Sequence, residues 1–235
     1  MKKEIFQNIC SQVFSSLQDN EKLTIYLEGE NSQYFRFNDS KLRQSGIIED
    51  YAVTISLFSG KKSLQSATTV SSDIESSVSN LKNEIQALRD PLSLIPENEF
   101  TSFPDNFDSI EIIKSGKLPP RSEILEALME IITKDYLTGV WTSGKIFRAC
   151  STSEGTNHWF EKDSFIFDFS LIDEKENMVK VLFPGNAWDK EKFTTAFQEA
   201  SDKLKLMNKP KMELKPGKYR VCLLYTSPSP RDSIR

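Results

Sequence analysis

The segment Phe165-Ile166-Phe167-Asp168-Phe169-Ser170-Leu171 decides the fold class of this sequence. Its large apolar side chains recur at every second position, which is the period of a β-strand with one buried face. Strand signals also cover 140–147 and 179–183, and helical periodicity covers 122–134 and 189–207. Asp189 is placed to cap the second of these helices. This half of the sequence therefore predicts a helix, several strands and a closing helix.

The N-terminal half predicts the same order of elements. Its first helix has an apolar stripe at three- and four-residue steps, formed by Ile5, Phe6, Ile9, Cys10, Val13, Phe14 and Leu17. Alternating residues at 23–27 and 35–37, separated by Gly29-Glu30-Asn31, predict a β-hairpin that turns at Gly29. Further strands are predicted at 53–57 and 64–69. Ser72 and Glu75 have the spacing of a capping box, which predicts the start of a second helix.

Proline, glycine and scattered aromatic residues dominate 91–120, so we predict a linker there that lies against the first unit. The predicted organisation is a first α+β domain at 1–90, this linker, a second α+β domain at 121–212, and the first strand of a further domain at 213–221. The fold class is α+β: two consecutive α/β units, each with helices and a mixed or antiparallel sheet, truncated at the start of a third, C-terminal domain.

Residues 222–235 form a tail of different character. The run Cys222-Leu223-Leu224-Tyr225-Thr226-Ser227-Pro228-Ser229-Pro230-Arg231-Asp232 resembles the in-frame translation of a transposase sequencing adapter. We therefore expect this tail to be derived from the adapter and to add no stability, because its prolines cannot continue a central strand.

Composition narrows the classes of function. The 235 residues include 38% hydrophobic residues and sixteen Phe, enough for a substantial core. The formal charge of −4 arises from 30 basic and 34 acidic residues spread along the chain, so direct nucleic-acid binding is not expected. No stretch has the roughly 20 apolar residues needed to cross a membrane. The widely spaced cysteines indicate a reducing, cytoplasmic compartment.

The residues offer little catalytic chemistry. His158 is the single histidine, and a catalytic zinc site normally needs three protein ligands. The glycines do not have the spacing of a phosphate-binding loop. Cys10 falls on the apolar stripe of the first helix, which favours a small buried side chain over a reactive thiol. The sequence predicts no catalytic residue, no metal ligand and no cofactor in this chain.

A polar turn around Gly155 is the one candidate contact site. It is followed directly by aromatic residues, and the side chains that could contact a peptide or a partner subunit are Glu154, Gly155, Asn157, His158 and Trp159. The alternative is an ordinary hairpin turn with its aromatic residues packed at the base.

Three segments in order resemble the TldD/PmbA family, whose members are also called modulators of DNA gyrase. Tyr34–Gly46 resembles the first-domain motif, Gly139–Phe169 the second domain, and Pro216–Val221 the entry to the C-terminal domain. The resemblance implies a cytoplasmic protease of two subunits. A TldD-type subunit carries a His-Glu-x-x-x-His zinc motif, and a PmbA-type (TldE) subunit lacks it.

The third segment resembles the PmbA type more closely, so we expect a non-catalytic subunit. The resemblance implies a TldD-like catalytic subunit with zinc as the partner, and extended or unfolded peptides as substrates held by strand addition. Two alternatives stay open. One is a TldD-like metallopeptidase whose zinc motif lies beyond this sequence, and the other is an unrelated peptide-binding adaptor.

Overall fold

The structure is a computed structural model that describes residues 1–104, 108–132, 136–210 and 213–221. The helices and strands alternate along the chain as the sequence predicts, and the α+β class is confirmed. In chain order they are α1 Lys3–Phe14, β1 Glu21–Asn38, β2 Lys41–Ser59, β3 Lys62–Thr69, α2 Ile74–Leu94, β4 Glu111–Lys114, α3 Arg121–Ile131, β5 Tyr136–Thr152, β6 Asn157–Ile172, β7 Met178–Gly185 and α4 Lys190–Met207.

The strands of both predicted units belong to one sheet. Within the described residues its seven strands follow the order β3-β2-β1-β5-β6-β4, and β7 pairs with the other part of β6. The β4–β6 pair is parallel and the other pairs are antiparallel. The junction is the β1–β5 pair, which runs from Thr24↔Thr152 to Phe37↔Gly139. The expectation that each unit has a separate sheet is therefore wrong.

The predicted turn at Gly29 is also wrong, because β1 continues through it without a break. The buried apolar residues on both sides of Gly29 have the same parity, from Leu23 to Phe37, so one continuous strand buries them all on one face. The chain turns instead at Asp39 and Ser40, whose φ values are 53° and 54°. Two consecutive residues with positive φ are typical of a type I′ hairpin turn.

The hydrophobic core forms two clusters along one face of this sheet. The first lies under α1 and α2 and includes Phe6, Ile9, Val13, Leu23, Ile25, Leu81, Ile85, Phe147 and Trp159. The second lies under α3 and α4 and includes Phe35, Phe37, Ile124, Leu128, Trp141, Phe165, Phe167, Phe169 and Phe193. The opposite face, formed by the even-numbered residues of β1, β5 and β6, has no helix of the described residues packed on it.

Helices α2 and α4 each begin at an aspartate N-cap, one at the predicted residue and one a residue away from it. Asp189 Oδ1 accepts a hydrogen bond from the Lys192 N–H at 3.1 Å, as predicted. The N-cap of α2 is Asp73, which accepts from the Ser76 N–H at 3.2 Å, so the predicted capping box at Ser72 is wrong by one residue. An aspartate carboxylate is as good a cap as a serine hydroxyl, and spacing alone did not separate them.

The interval 91–120 contributes to the fold. Helix α2 continues through Pro91 to Leu94, and β4 adds a strand beside β6. The ring of Phe103 lies edge-on to that of Phe58, with 5.2 Å between centroids, so this part packs against the first unit as predicted. Residues 213–221 form no strand among the described residues, and the tail 222–235 lies outside them.

None of the helices in the described part of the chain is long and apolar enough to cross a membrane.

One ion pair connects α2 to β1 in the first unit, and we predict that it makes the free energy of unfolding depend on pH. Arg89 on α2 donates to both carboxylate oxygens of Glu21 on β1, at 2.8 and 2.9 Å, and to the Ser16 carbonyl at 3.2 Å. These hydrogen bonds lower the pKa of Glu21 below its ordinary value. The pair therefore stabilises the fold above the ordinary carboxyl pKa, and this contribution is lost as the pH falls through the lowered pKa.

Arg89→Met should lower the free energy of unfolding at pH 7 by about 1–3 kcal/mol. Its difference from wild type should shrink below about pH 4, where Glu21 becomes protonated in the unfolded chain. Urea unfolding at several pH values measures this. A difference that stays constant from pH 7 to pH 3 would contradict it.

Candidate functional site

The polar turn predicted around Gly155 is present and joins β5 to β6. The Thr152 N–H donates to the Thr156 carbonyl at 2.9 Å, and the Gly155 N–H donates to the Thr152 carbonyl at 3.1 Å. Gly155 has φ +96°, a conformation that favours glycine. Glu154 and Gly155 are exposed at the tip, where Glu154 pairs with Lys22 at 3.2 Å.

Asn157 and His158 hold the segment that leads into β4. The Asn157 N–H donates to Ser109 Oγ at 2.9 Å, and the Ile110 N–H donates to His158 Nδ1 at 3.2 Å. One nitrogen of the single imidazole therefore accepts a backbone hydrogen bond. These two residues position an edge strand of the sheet.

Trp159 belongs to the first core cluster. Its ring lies 6.2 Å from that of Phe6 and 5.8 Å from that of Phe147, between centroids, and only 3% of the residue is exposed. A buried indole cannot serve as a surface contact in this chain, so the structure separates Trp159 from the other four predicted residues. A contact role for Glu154, Gly155, Asn157 and His158 stays a prediction.

The structure also shows a surface that sequence reasoning missed, the outer edge of β2 from Lys41 to Asp50, here called the β2 edge. Strand β3 pairs only with Ala52–Ser59, and no strand of the described residues pairs with 41–50 on the side away from β1. Most of these residues are exposed, and Ile47 is 72% exposed. An unpaired strand edge offers a row of free N–H and C=O groups to another extended chain.

The β2 edge is held in place at its tip. The Ser40 N–H donates to the Leu137 carbonyl at 2.9 Å, and the Leu137 N–H donates to Ser40 Oγ at 3.0 Å. The β1–β2 hairpin is thereby fixed to the start of β5. Basic side chains, Lys41 and Arg43, lie near the tip of the edge, whereas Glu49 and Asp50 lie at its other end.

Tyr51 lies next to the acidic end of the β2 edge. The Tyr51 hydroxyl donates to Glu49 Oε1 at 3.0 Å and accepts a hydrogen bond from the Met1 ammonium group. Burial and the neighbouring Glu49 carboxylate raise the pKa of Tyr51 to about 12. The phenol therefore stays protonated and acts as a hydrogen-bonding group at neutral pH.

The described residues do not fit a zinc ion or a nucleophilic thiol. They contain no group of three or more His, Cys, Asp or Glu side chains arranged to hold a metal. Burial raises the pKa of the Cys10 thiol to about 12, and the pKa of Cys150 is also raised by burial. Thiols with raised pKa values are poor nucleophiles and poor metal ligands, because both roles need the thiolate.

No family model and no curated protein matches this chain. Solved structures with a similar fold include the following three. Against TldE from Thermococcus kodakarensis, the TM-score is 0.61 at 12% identity, covering 86% of this chain and 47% of that one. Against a protein named as a modulator of DNA gyrase from Bacteroides thetaiotaomicron, it is 0.61 at 16% identity, covering 92% and 52%.

Against a protein of the same description from Thermotoga maritima, the TM-score is 0.59 at 13% identity, covering 84% of this chain and 48% of that one. This chain thus spans about half the length of the structures it matches. The fold is that of the TldE and gyrase-modulator structures, as the sequence resemblance implies.

Proposed function

We propose that this chain is the N-terminal part of a non-catalytic, TldE-like subunit that binds extended peptides for a separate, TldD-like zinc protease. The observation that carries the proposal is the β2 edge, which is exposed, is fixed at its tip and is paired on its outer side with no strand of the described residues. The similarity of this fold to that of TldE supports the proposal of a TldE-like subunit.

Strand addition explains how such an edge binds peptides of many sequences. The hydrogen bonds are made by the peptide backbone, so affinity requires an extended conformation more than a particular sequence. Ten residues of strand extend over roughly 33 Å, enough to align a long unfolded segment. The charges at the two ends of the β2 edge would favour one peptide orientation over the other.

The zinc chemistry would come from the partner subunit. Zinc supplies a Lewis acid and an activated water to peptide hydrolysis, and it needs ligands that the described residues do not provide. This chain's own contribution would be to hold the peptide extended and in register. Both cysteines that the structure describes are free, which fits the reducing cytoplasm as the place of action.

Charge placed on the β2 edge should weaken peptide binding. Ile47→Lys should raise the Kd for a fluorescein-labelled unfolded peptide roughly tenfold, because it replaces the apolar contact at the centre of the edge by a hydrated charge. Fluorescence anisotropy measures this. The matched control is Leu94→Lys, which changes another exposed apolar residue, at the end of α2, and should leave the Kd unchanged.

Proline substitution tests the backbone contacts themselves. Successive N–H groups of an edge strand point alternately towards the sheet and away from it. Of Gln44→Pro and Ser45→Pro, the variant that keeps the thermal stability of the wild type should therefore be the one that loses peptide binding. Unchanged binding by that variant and by Ile47→Lys would refute the proposal.

A further inference from the structure

A groove crosses the helix-free face of the sheet, and at one end its Glu30 lies beside Asp50, the last residue of the β2 edge. Its floor is one row of small residues on three adjacent strands, because the register pairs Ser32 with Gly144 and Gly144 with Ser164. The strands approach closely here, and a Cβ at Gly144 would lie 2.5 Å from Ser32 Cα. The space above this floor has a volume of about 660 Å³.

The walls of the groove are the neighbouring rows of the same register. On one side Thr142, Ile166 and Pro184 follow one another across β5, β6 and β7. On the other side the row contains Glu30, Ile146, Lys162 and Lys114, across β1, β5, β6 and β4. The middle of the groove is therefore apolar, and both its ends are charged.

The charged ends have no opposite charge to neutralise them within the described residues. Lys114 and Lys162 are direct neighbours on paired strands and face the same side, yet neither forms an ion pair there. Like charges placed opposite each other destabilise a sheet unless an anion lies between them. Glu30 accepts a hydrogen bond from Ser32 Oγ at 2.8 Å but pairs with no cation of the described residues.

We propose that this groove binds a short peptide with free termini, its carboxylate on Lys114 and Lys162 and its ammonium group on Glu30. Glu30 and Lys162 lie on strands separated by two inter-strand spacings, roughly 10 Å. An extended peptide of about three residues has that length. Ile146 and Ile166 would contact its central side chain. This site does not depend on peptide binding at the β2 edge.

The probe is the tripeptide Ala-Leu-Ala, titrated into the whole chain by calorimetry in three forms: unmodified, amidated at the C-terminus, and acetylated at the N-terminus. Amidation should weaken binding by roughly ten- to hundredfold, because it removes the charge that the lysines pair with. Acetylation should also weaken binding, through the loss of the ammonium partner of Glu30.

Substitutions in the groove test whether the tripeptide binds there. The double variant Lys114→Met and Lys162→Met should lose binding to the same extent as amidation, and Ser164→Leu should block the floor. The control Lys82→Met removes a lysine charge from an exposed position on α2 and should leave the Kd unchanged. Equal binding of the free and amidated forms, no binding at millimolar tripeptide, or an equal loss in the control would overturn the proposal.

Discussion

Gly144→Val is expected to abolish the folded state of this chain. A Cβ at this position would lie 2.3 Å from the Asn31 carbonyl oxygen and 2.5 Å from Ser32 Cα, and both are backbone atoms of β1. No side-chain rotation can relieve such a contact, so the β1–β5 pair would have to separate. This pair joins the two halves of the sheet, and its loss would expose the apolar face of both.

Circular dichroism and a thermal melt of Gly144→Val measure this effect, and we expect no cooperative transition. The control is Gly155→Ala, eleven residues along the chain, where the added Cβ meets no atom within 4 Å. That substitution strains only the backbone at φ +96° and should cost about 1–3 kcal/mol, leaving the chain folded. A Gly144→Val protein as stable as Gly155→Ala would contradict the single sheet.

Phe167→Ala should lower the free energy of unfolding by about 3–5 kcal/mol. The ring is fully buried in the second core cluster, with its centroid 4.7 Å from that of Phe169 and 5.7 Å from that of Phe193. Removing it leaves a cavity among aromatic rings that are held by three strands and a helix and cannot collapse far. Since domains of this size are stable by only about 5–15 kcal/mol, this is a large fraction of the total.

The neighbouring Ile166 provides the control for Phe167→Ala. It lies on the opposite face of the same strand and is 39% exposed, so Ile166→Ala should cost about 1 kcal/mol or less. Denaturant unfolding of the two variants compares the two faces directly. Equal losses would mean that the helices do not cover the face to which Phe167 points.

The sequence predicts best those helices and strands whose apolar residues repeat with a regular period within one element. The alternation at 165–171 and the helical stripes at 5–17 and 189–207 each lie within one element, so the pattern reports burial directly. The β1–β5 pairing is different, because it joins residues more than a hundred positions apart and leaves no mark on either strand alone. The parity shared by Leu23 and Phe37 is the one local signal that the predicted turn at Gly29 was wrong.

The candidate site also contains one part that the sequence predicts and other parts that depend on contacts between distant residues. The turn around Gly155 follows from its composition, whereas the position of Trp159 in the core depends on α1 packing above β6. The β2 edge and the groove at Gly144 exist only through strand register, which sets where β3 ends and which rows align. Strand β4 was missed because four residues in a proline-rich interval give too short a pattern to recognise.

The most direct test of the proposed role is to incubate the purified chain with Zn²⁺ and a labelled unfolded peptide, following binding by anisotropy and cleavage by mass spectrometry. We predict that the peptide is bound and stays intact at every zinc concentration, because our proposal places the peptide on the β2 edge and the described residues contain no group of side chains arranged to hold a metal. Chelator-sensitive cleavage by this chain alone would contradict the account and would assign the catalysis to this chain itself.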